Sequence, residues 1–319
     1  MLALDSENYH KTCLAQERVM DVDVLPFVGK VLVKDFKTAH LNLVIQKLVD
    51  RGSITQSRRV FEMVRALINY AVERDYIPFS PIAKAKPVGK EKKADRALSL
   101  AELKKVFTTV DDVMERSTNV PMIVKIALAT SKRSTEISGC DYEQEIDEKK
   151  MLWTIPLDRI KGEVGATEPE LVPLSPLALA LFKEAKRRTN HRYLFPSEDG
   201  EGPMLADGIA RAIKRAQPRF GLTDAKGRPT TFKLKDLRST VGTHMLNDEL
   251  ELGISHFAKY LAMNHLSAIR ANVSDKHYDQ NKYLKTKRDA MNKWATFLEK
   301  LVAGEIPTGE EEEPMQEAA

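Results

Sequence analysis

Residues 230–246 read TTFKLKDLRSTVGTHML, residues 261–265 read LAMNH, and residues 271–283 read ANVSDKHYDQNKY. Three features in this region attract chemistry: the pair Lys235 and Arg238, His265 after an apolar run, and Tyr278 thirteen residues further on. Lys235 and Arg238 are three apart at an expected helix start, so their side chains share one face of the first turn. Two cations beside the unpaired N–H groups of a helix start suit a phosphate. A tyrosine placed downstream is then a candidate nucleophile on that phosphate. Taken alone, K-x-x-R on a helix is more often a solvated face, so the reading depends on partners elsewhere in the chain.

With 319 residues the chain is long enough to bury two cores. Hydrophobic residues make up 42% and charged ones 30%, which suits a globular fold rather than a disordered or membrane chain. No apolar run approaches the roughly 18 residues of a membrane span, and no signal-peptide pattern opens the chain. Cys13 and Cys140 are far apart and lack companions at metal-ligand spacing, which implies reduced thiols, a cytoplasmic setting and no zinc site. The formal net charge is +4, but residues 304–319 hold six glutamates and no lysine or arginine, so the remainder carries +10. Such an excess is compatible with a nucleic-acid partner.

The chain divides by texture. Thr38 is a candidate N-cap for a helix with Leu41, Val44, Ile45, Leu48 and Val49 on one stripe, ended by Gly52. A longer helix from about Gln56 carries Val60, Phe61, Val64, Leu67, Ile68, Ala71 and Val72 at spacings of three and four. These predict a small helical unit over residues 1–84. Residues 85–98 form a proline-containing linker, and the basic set around it is Lys84, Lys86, Lys90, Lys92, Lys93 and Arg96. That run is either solvated or grips a nucleic-acid backbone.

A second unit is expected over residues 99–303. Ser99-Leu100-Ala101-Glu102 is a capping box that opens it. Residues 149–155 (KKMLWTI) and 170–174 (ELVPL) are strand candidates, with Lys161, Gly162 and Gly165 in the turn between them. Ser175-Pro176 reads as an N-cap with proline at the first helical position. A last helix carries Leu284, Met291, Trp294, Leu298 and Leu301. Residues 304–319 form an acidic tail expected to be disordered.

The apolar run over residues 123–129 ends in Thr130-Ser131-Lys132-Arg133-Ser134-Thr135-Glu136. Arg133 and Glu136 would be a weak surface ion pair in water. At the end of so apolar a helix they are expected to be partly buried, which aims a guanidinium at an anion. Arg133 beside Arg238 would give two forked donors for one phosphodiester.

The order T-x-x-R-x-x-E, a lysine in a β-turn, [H/K]-x-x-R, a histidine and then a tyrosine resembles the tyrosine recombinases. The phrase WTIPLDRIKG…ELVPLSPLALALF…YLFPS is similar to the phage and genomic-island integrase branch, as is YDQNKY followed by KTKRDAMNKWATFL. The likeness runs from about Thr38 to Leu301. It implies a mainly α protein: a helical, SAM-like core-binding domain, then a mixed α+β catalytic domain with a small antiparallel sheet.

The resemblance further implies that Arg133 and Arg238 hold the scissile phosphate, with Glu136 supporting Arg133. Lys161 would protonate the departing 5′ oxygen, and His265 would hydrogen-bond the phosphate. Tyr278 would attack to form a 3′-phosphotyrosine, with no metal or cofactor. Lys235 stands where histidine is more usual; an ammonium, titrating near ~10.4 in water, is a poor general base but can still clamp phosphate. Ser131 replaces the usual glycine, at little expected cost. Tyr283 is the rival nucleophile, with packing as its expected task, and Tyr193 and Tyr260 read as core residues. Lys132 is expected on the surface, against the DNA backbone together with Lys84, Lys86, Lys90, Lys92 and Lys93.

The implied partners are double-stranded DNA at attachment sites, a homo-tetramer on DNA from free monomers, and accessory DNA-bending proteins. The implied location is the bacterial cytoplasm, with the nucleoid. Members of this branch usually carry a further N-terminal arm-binding domain, and the abrupt start here suggests a fragment or a short variant. Two other functions share the pattern: a catalytically impaired DNA-binding protein of the same fold, favoured only by Lys235, and a supercoil-relaxing enzyme of type IB topoisomerase chemistry.

Overall fold

The computed structural model describes residues 6–89, 96–160, 168–224, 226–265 and 283–308. These divide into two compact units, Met1–Ala94 and Asp95–Ala319. In the first, α1 (Ser6–Val19) runs through one wider turn, Met20–Val24, into the short α2 (Leu25–Val28), and α3 (Thr38–Asp50) and α4 (Ile54–Glu73) follow. The expected stripes are the buried ones: Leu41, Val44, Ile45 and Leu48 of α3 meet Val60, Phe61, Val64, Ile68 and Ala71 of α4. Thr38 is not the N-cap. Lys37 takes that place, and the Thr38 hydroxyl instead donates to the Pro81 carbonyl at 2.8 Å, tying α3 to the chain after α4. Buried Asp23 is held by Arg51 at 2.9 Å and Gln56 at 2.8 Å, so its charge is paired rather than stranded.

The second unit is built on α6 (Val120–Thr130), whose side chains are almost all buried. Around it lie α5 (Leu100–Val113), α9 (Pro176–Arg187), α10 (Ala206–Phe220), α11 (Leu234–His244) and α13 (Leu284–Ala303). The expected caps form. Ser99 accepts from the Glu102 amide while Glu102 accepts from the Ser99 amide, and Ser175 accepts from the Ala178 amide. Trp294 donates from Nε1 to the Leu128 carbonyl at 2.7 Å, fixing α13 against the end of α6.

The sheet is antiparallel with order β1-β2-β3: β1 (Ile146–Asp147), β2 (Leu152–Ile155) and β3 (Glu170–Pro173). Trp153 pairs with Val172 and turns inward with Ile155, as the period of two requires. Its indole packs on Phe182 and donates to Glu145 at 3.0 Å. β1 is only two residues long and was not foreseen. Tyr193 and Tyr260, expected in the core, are only half-buried.

Arg96 is not a loose linker cation. Its guanidinium pairs with Glu102 and donates to Thr230 Oγ1 and the Thr231 carbonyl. Two residues on, Leu98 is clasped on both sides by α11: its amide donates to Thr240 Oγ1 at 2.9 Å, and its carbonyl accepts from His244 Nε2 at 2.8 Å. Burial holds the His244 imidazole below its usual pKa, in keeping with a neutral ring donating from Nε2.

Candidate active site

Two helix corners build the site. At the first, α6 stops at Ser131, which has φ 57°, and the chain turns into the five-residue α7 (Ser134–Ser138). Arg133 caps α7. Its amide donates to Glu136 Oε2 at 2.8 Å and its Nη1 to Glu136 Oε1 at 2.9 Å, so both carboxylate oxygens are used on one residue. Glu136 is wholly buried, whereas the Arg133 side chain keeps 29% of its surface open. A guanidinium braced from behind and open in front is aimed outward.

The second corner is α11, opened by the Lys233 amide donating to Asp236 at 2.8 Å. Lys235 lies exposed in its first turn and Arg238, one turn on, is half-buried. Arg238 reaches back to the first corner, donating from Nη1 to the Ser131 carbonyl at 2.8 Å and from Nη2 to the Met263 carbonyl. Gly242 lets this happen: a Cβ there would come within 2.7 Å of Met263 Sδ. The end of α12 (His256–Ala262) is thereby drawn against α11.

His265 follows that end, with its amide donating to the Tyr260 carbonyl at 3.0 Å. Its imidazole is pushed down to about 4 by burial first, and then by the cations Arg238, Lys259, Arg133 and Lys132. Arg133, Arg238 and His265 therefore share one electrostatic neighbourhood, although up to 132 positions separate them in the chain. The neutral ring is a hydrogen-bond donor rather than a charge at pH 7. Between about 4 and its usual ~6.5 the unfolded chain holds the extra proton, so this group's share of stability is full above ~6.5 and is lost as pH falls toward 4. An anion bound there would neutralise the neighbouring cations and reverse their part of that shift. An NMR titration of His265 is expected to give a midpoint near 4 in free protein and a clearly higher one on duplex DNA. An unchanged midpoint would separate His265 from the anion site.

Lys132 corrects the sequence reading. It is buried at 2% exposure and donates to Glu170 Oε1 and to the Ala262 carbonyl, so it is not available to DNA. The left-handed turn at Ser131 sends Arg133 outward and Lys132 inward, onto partners distant in the chain. That turn also makes Ser131 dearer than expected. A left-handed residue with a Cβ costs about 1–2 kcal/mol, and the buried hydroxyl has no partner among the described residues. Ser131→Gly is expected to stabilise the protein by about 1 kcal/mol, net of the glycine entropy term, read as a raised urea midpoint at unchanged slope.

Lys84 and Lys86 are exposed. Lys161, Tyr278, Lys90, Lys92 and Lys93 lie outside the described residues, as does the tail from residue 309. Tyr283, at the entrance of α13, packs its ring edge-on against Phe257 at 5.3 Å.

Comparison with known proteins agrees with this architecture. The phage integrase family profile matches residues 96–269, and the phage integrase central domain matches residues 5–87. The integrase of Enterobacteria phage P4 is 25% identical over 88% of this chain, which spans 64% of that relative's length. The fold is shared with the Tn1549 transposon integrase (residues 82–397) in complex with circular intermediate DNA, at TM-score 0.63 and 14% identity over 86% of this chain and 93% of that one. It is shared too with a lambda integrase (75–356) dimer bound to a COC′ core site, at TM-score 0.60 and 14% identity over 85% and 97%. A braced arginine at one corner, a second arginine tied back to it and a histidine in their joint field thus occur in a chain that belongs to the phage integrase family, among the tyrosine recombinases.

Proposed function

We propose that the chain is a site-specific DNA recombinase, cutting and rejoining duplex DNA to integrate or excise a mobile element. The observation that carries this is the tie of Arg238 to the Ser131 carbonyl, two residues before Arg133. Two guanidinium groups referred to one corner are suited to the two non-bridging oxygens of one phosphodiester. The neutral imidazole of His265 adds a donor to the same oxygens, and exposed Lys235 adds a point charge.

In this reading the Tyr278 oxygen gives up its proton to solvent and attacks phosphorus, the bond to the 5′ oxygen breaks, and Lys161 supplies that oxygen with a proton and regains one from solvent. The 3′-phosphotyrosine conserves the free energy of the broken bond, so a second 5′-hydroxyl can reseal the strand without a nucleotide cofactor. The charge developed is met by fixed cations, and the remaining basic residues hold the DNA backbone in a salt-sensitive way. Residues 1–84 would bind core-type sites, 85–98 link, and 99–303 carry the chemistry. Four protomers on two sites, in the cytoplasm with the nucleoid, would complete one exchange.

Nicked suicide duplexes tiled across the DNA flanking the gene test this directly. A covalent protein–DNA adduct on a denaturing gel is the expected result. Binding without any adduct would leave a DNA-binding protein of the same fold, and plasmid relaxation without recombination would leave a topoisomerase.

A further inference from the structure

We propose that Lys132 is a positioning residue for strand cleavage, its buried ammonium joining β3 to the end of α12 and so setting the corner that carries Arg133 against the segment that carries Met263 and His265. The inference rests on the recombinase reading above.

A lysine with 1% of its side chain exposed, paired with a carboxylate equally buried, is a costly thing to keep. Removing both ions from water costs several kcal/mol each, and an apolar pair of similar volume is often at least as stable. Nothing in the packing of α6 demands a cation at its end, since its neighbours Ile126, Ala127, Leu128 and Ala129 are all buried and apolar. What the ammonium does is geometric. It donates to Glu170, the first residue of β3, and at 2.9 Å to the Ala262 carbonyl at the end of α12.

Each of those contacts borders a site residue. Lys132 itself precedes Arg133, whose guanidinium is braced by Glu136. Ala262 precedes Met263, whose carbonyl takes Arg238, and lies three residues before His265. Glu170 opens the strand that follows Lys161 in the chain, nine positions on. From the other side Lys287 of α13, also buried, donates to the Leu171 carbonyl at 3.1 Å. Burial would push the Glu170 carboxyl up, but Lys132 and Lys287 outweigh it and hold it below its usual range, which keeps it ionised. Lys287 is pushed down to about 8, chiefly by burial. The ionised Glu170 thus accepts from the arginine corner and stands in the field of the buried Lys287 of α13.

A structural ion pair and a positioning one predict different results. Lys132→Met strands Glu170, so stability falls; Lys132→Met combined with Glu170→Gln removes both charges and recovers most of that loss. Positioning predicts that the double variant still forms adduct at least tenfold slower than wild type at saturating nicked duplex, with DNA affinity changed less than threefold. Glu170→Gln alone keeps the shape and one acceptor but strands the Lys132 ammonium in turn, so its stability also falls, and its adduct rate falls at least tenfold. Restored stability with a wild-type rate in the double variant, or a Glu170→Gln rate within twofold of wild type, overturns the proposal. Wild-type protein is the reference on the same duplexes: no adduct from it sinks the recombinase reading and this role together. Adduct from wild type and variants at equal rates sinks only the role of Lys132.

Discussion

Arg238→Ala is expected to slow strand cleavage at saturating DNA by about 10³-fold, the scale on which single fixed donors to a transferring phosphoryl group act. That factor corresponds to about 4 kcal/mol of transition-state stabilisation. The guanidinium is held by two backbone carbonyls from different segments, Ser131 and Met263, so its plane is set before DNA arrives. Preorganised charge needs no reorganisation at the moment of reaction, which is why its loss falls on the rate and not on binding. Affinity, spread over many phosphate contacts, should change less than tenfold. Stability should fall as well, because two carbonyls of buried residues lose their donor at about 1–3 kcal/mol each, offset in part by relief of repulsion with the neighbouring cations. Arg238→Lys is the sharper variant: it keeps the charge, but one ammonium cannot serve both carbonyls and a phosphate in the plane of a fork. A loss above a hundredfold is expected there too, measured as adduct appearance under single-turnover conditions. A rate within tenfold of wild type in either variant would remove Arg238 from the phosphate site.

The parts of this fold visible in the sequence are those governed by short-range rules. Capping at Ser99 with Glu102 and at Ser175 needs only three or four residues, and the alternation around Trp153 needs five. Arg133 and Glu136 were legible because they are three apart and the helix before them is too apolar to end in water. Lys132 was misread for the converse reason. Its burial depends on the hand of one turn at Ser131 and on partners 38 and 130 positions away, neither of which a local pattern contains. The linker cation Arg96 failed in the same way, its partners at Thr230 and Thr231 lying some 134 residues downstream. One signal was present and unread. Lys287 falls on the inward stripe of α13 with Leu284, Met291, Trp294 and Leu298, where a cation has no place unless a buried carboxylate awaits it. The carboxylate whose field it meets is Glu170, the acidic residue opening an otherwise apolar strand.

Tyr278→Phe is expected to abolish covalent attachment while leaving DNA affinity unchanged. The change removes one oxygen, and with it the atom that forms the proposed phosphotyrosine, while the ring stays the same. No other phenol is expected to substitute, and Tyr283 decides the point, since it lies five residues on and within reach by sequence alone. Its ring is already engaged edge-on with Phe257, at the cap of α13. Tyr283→Phe should therefore form adducts at close to the wild-type rate. The two single variants and the double one, run on the same nicked duplexes and resolved on a denaturing gel, separate the possibilities. Adduct surviving in Tyr278→Phe but lost in Tyr283→Phe would move the nucleophile to the start of α13.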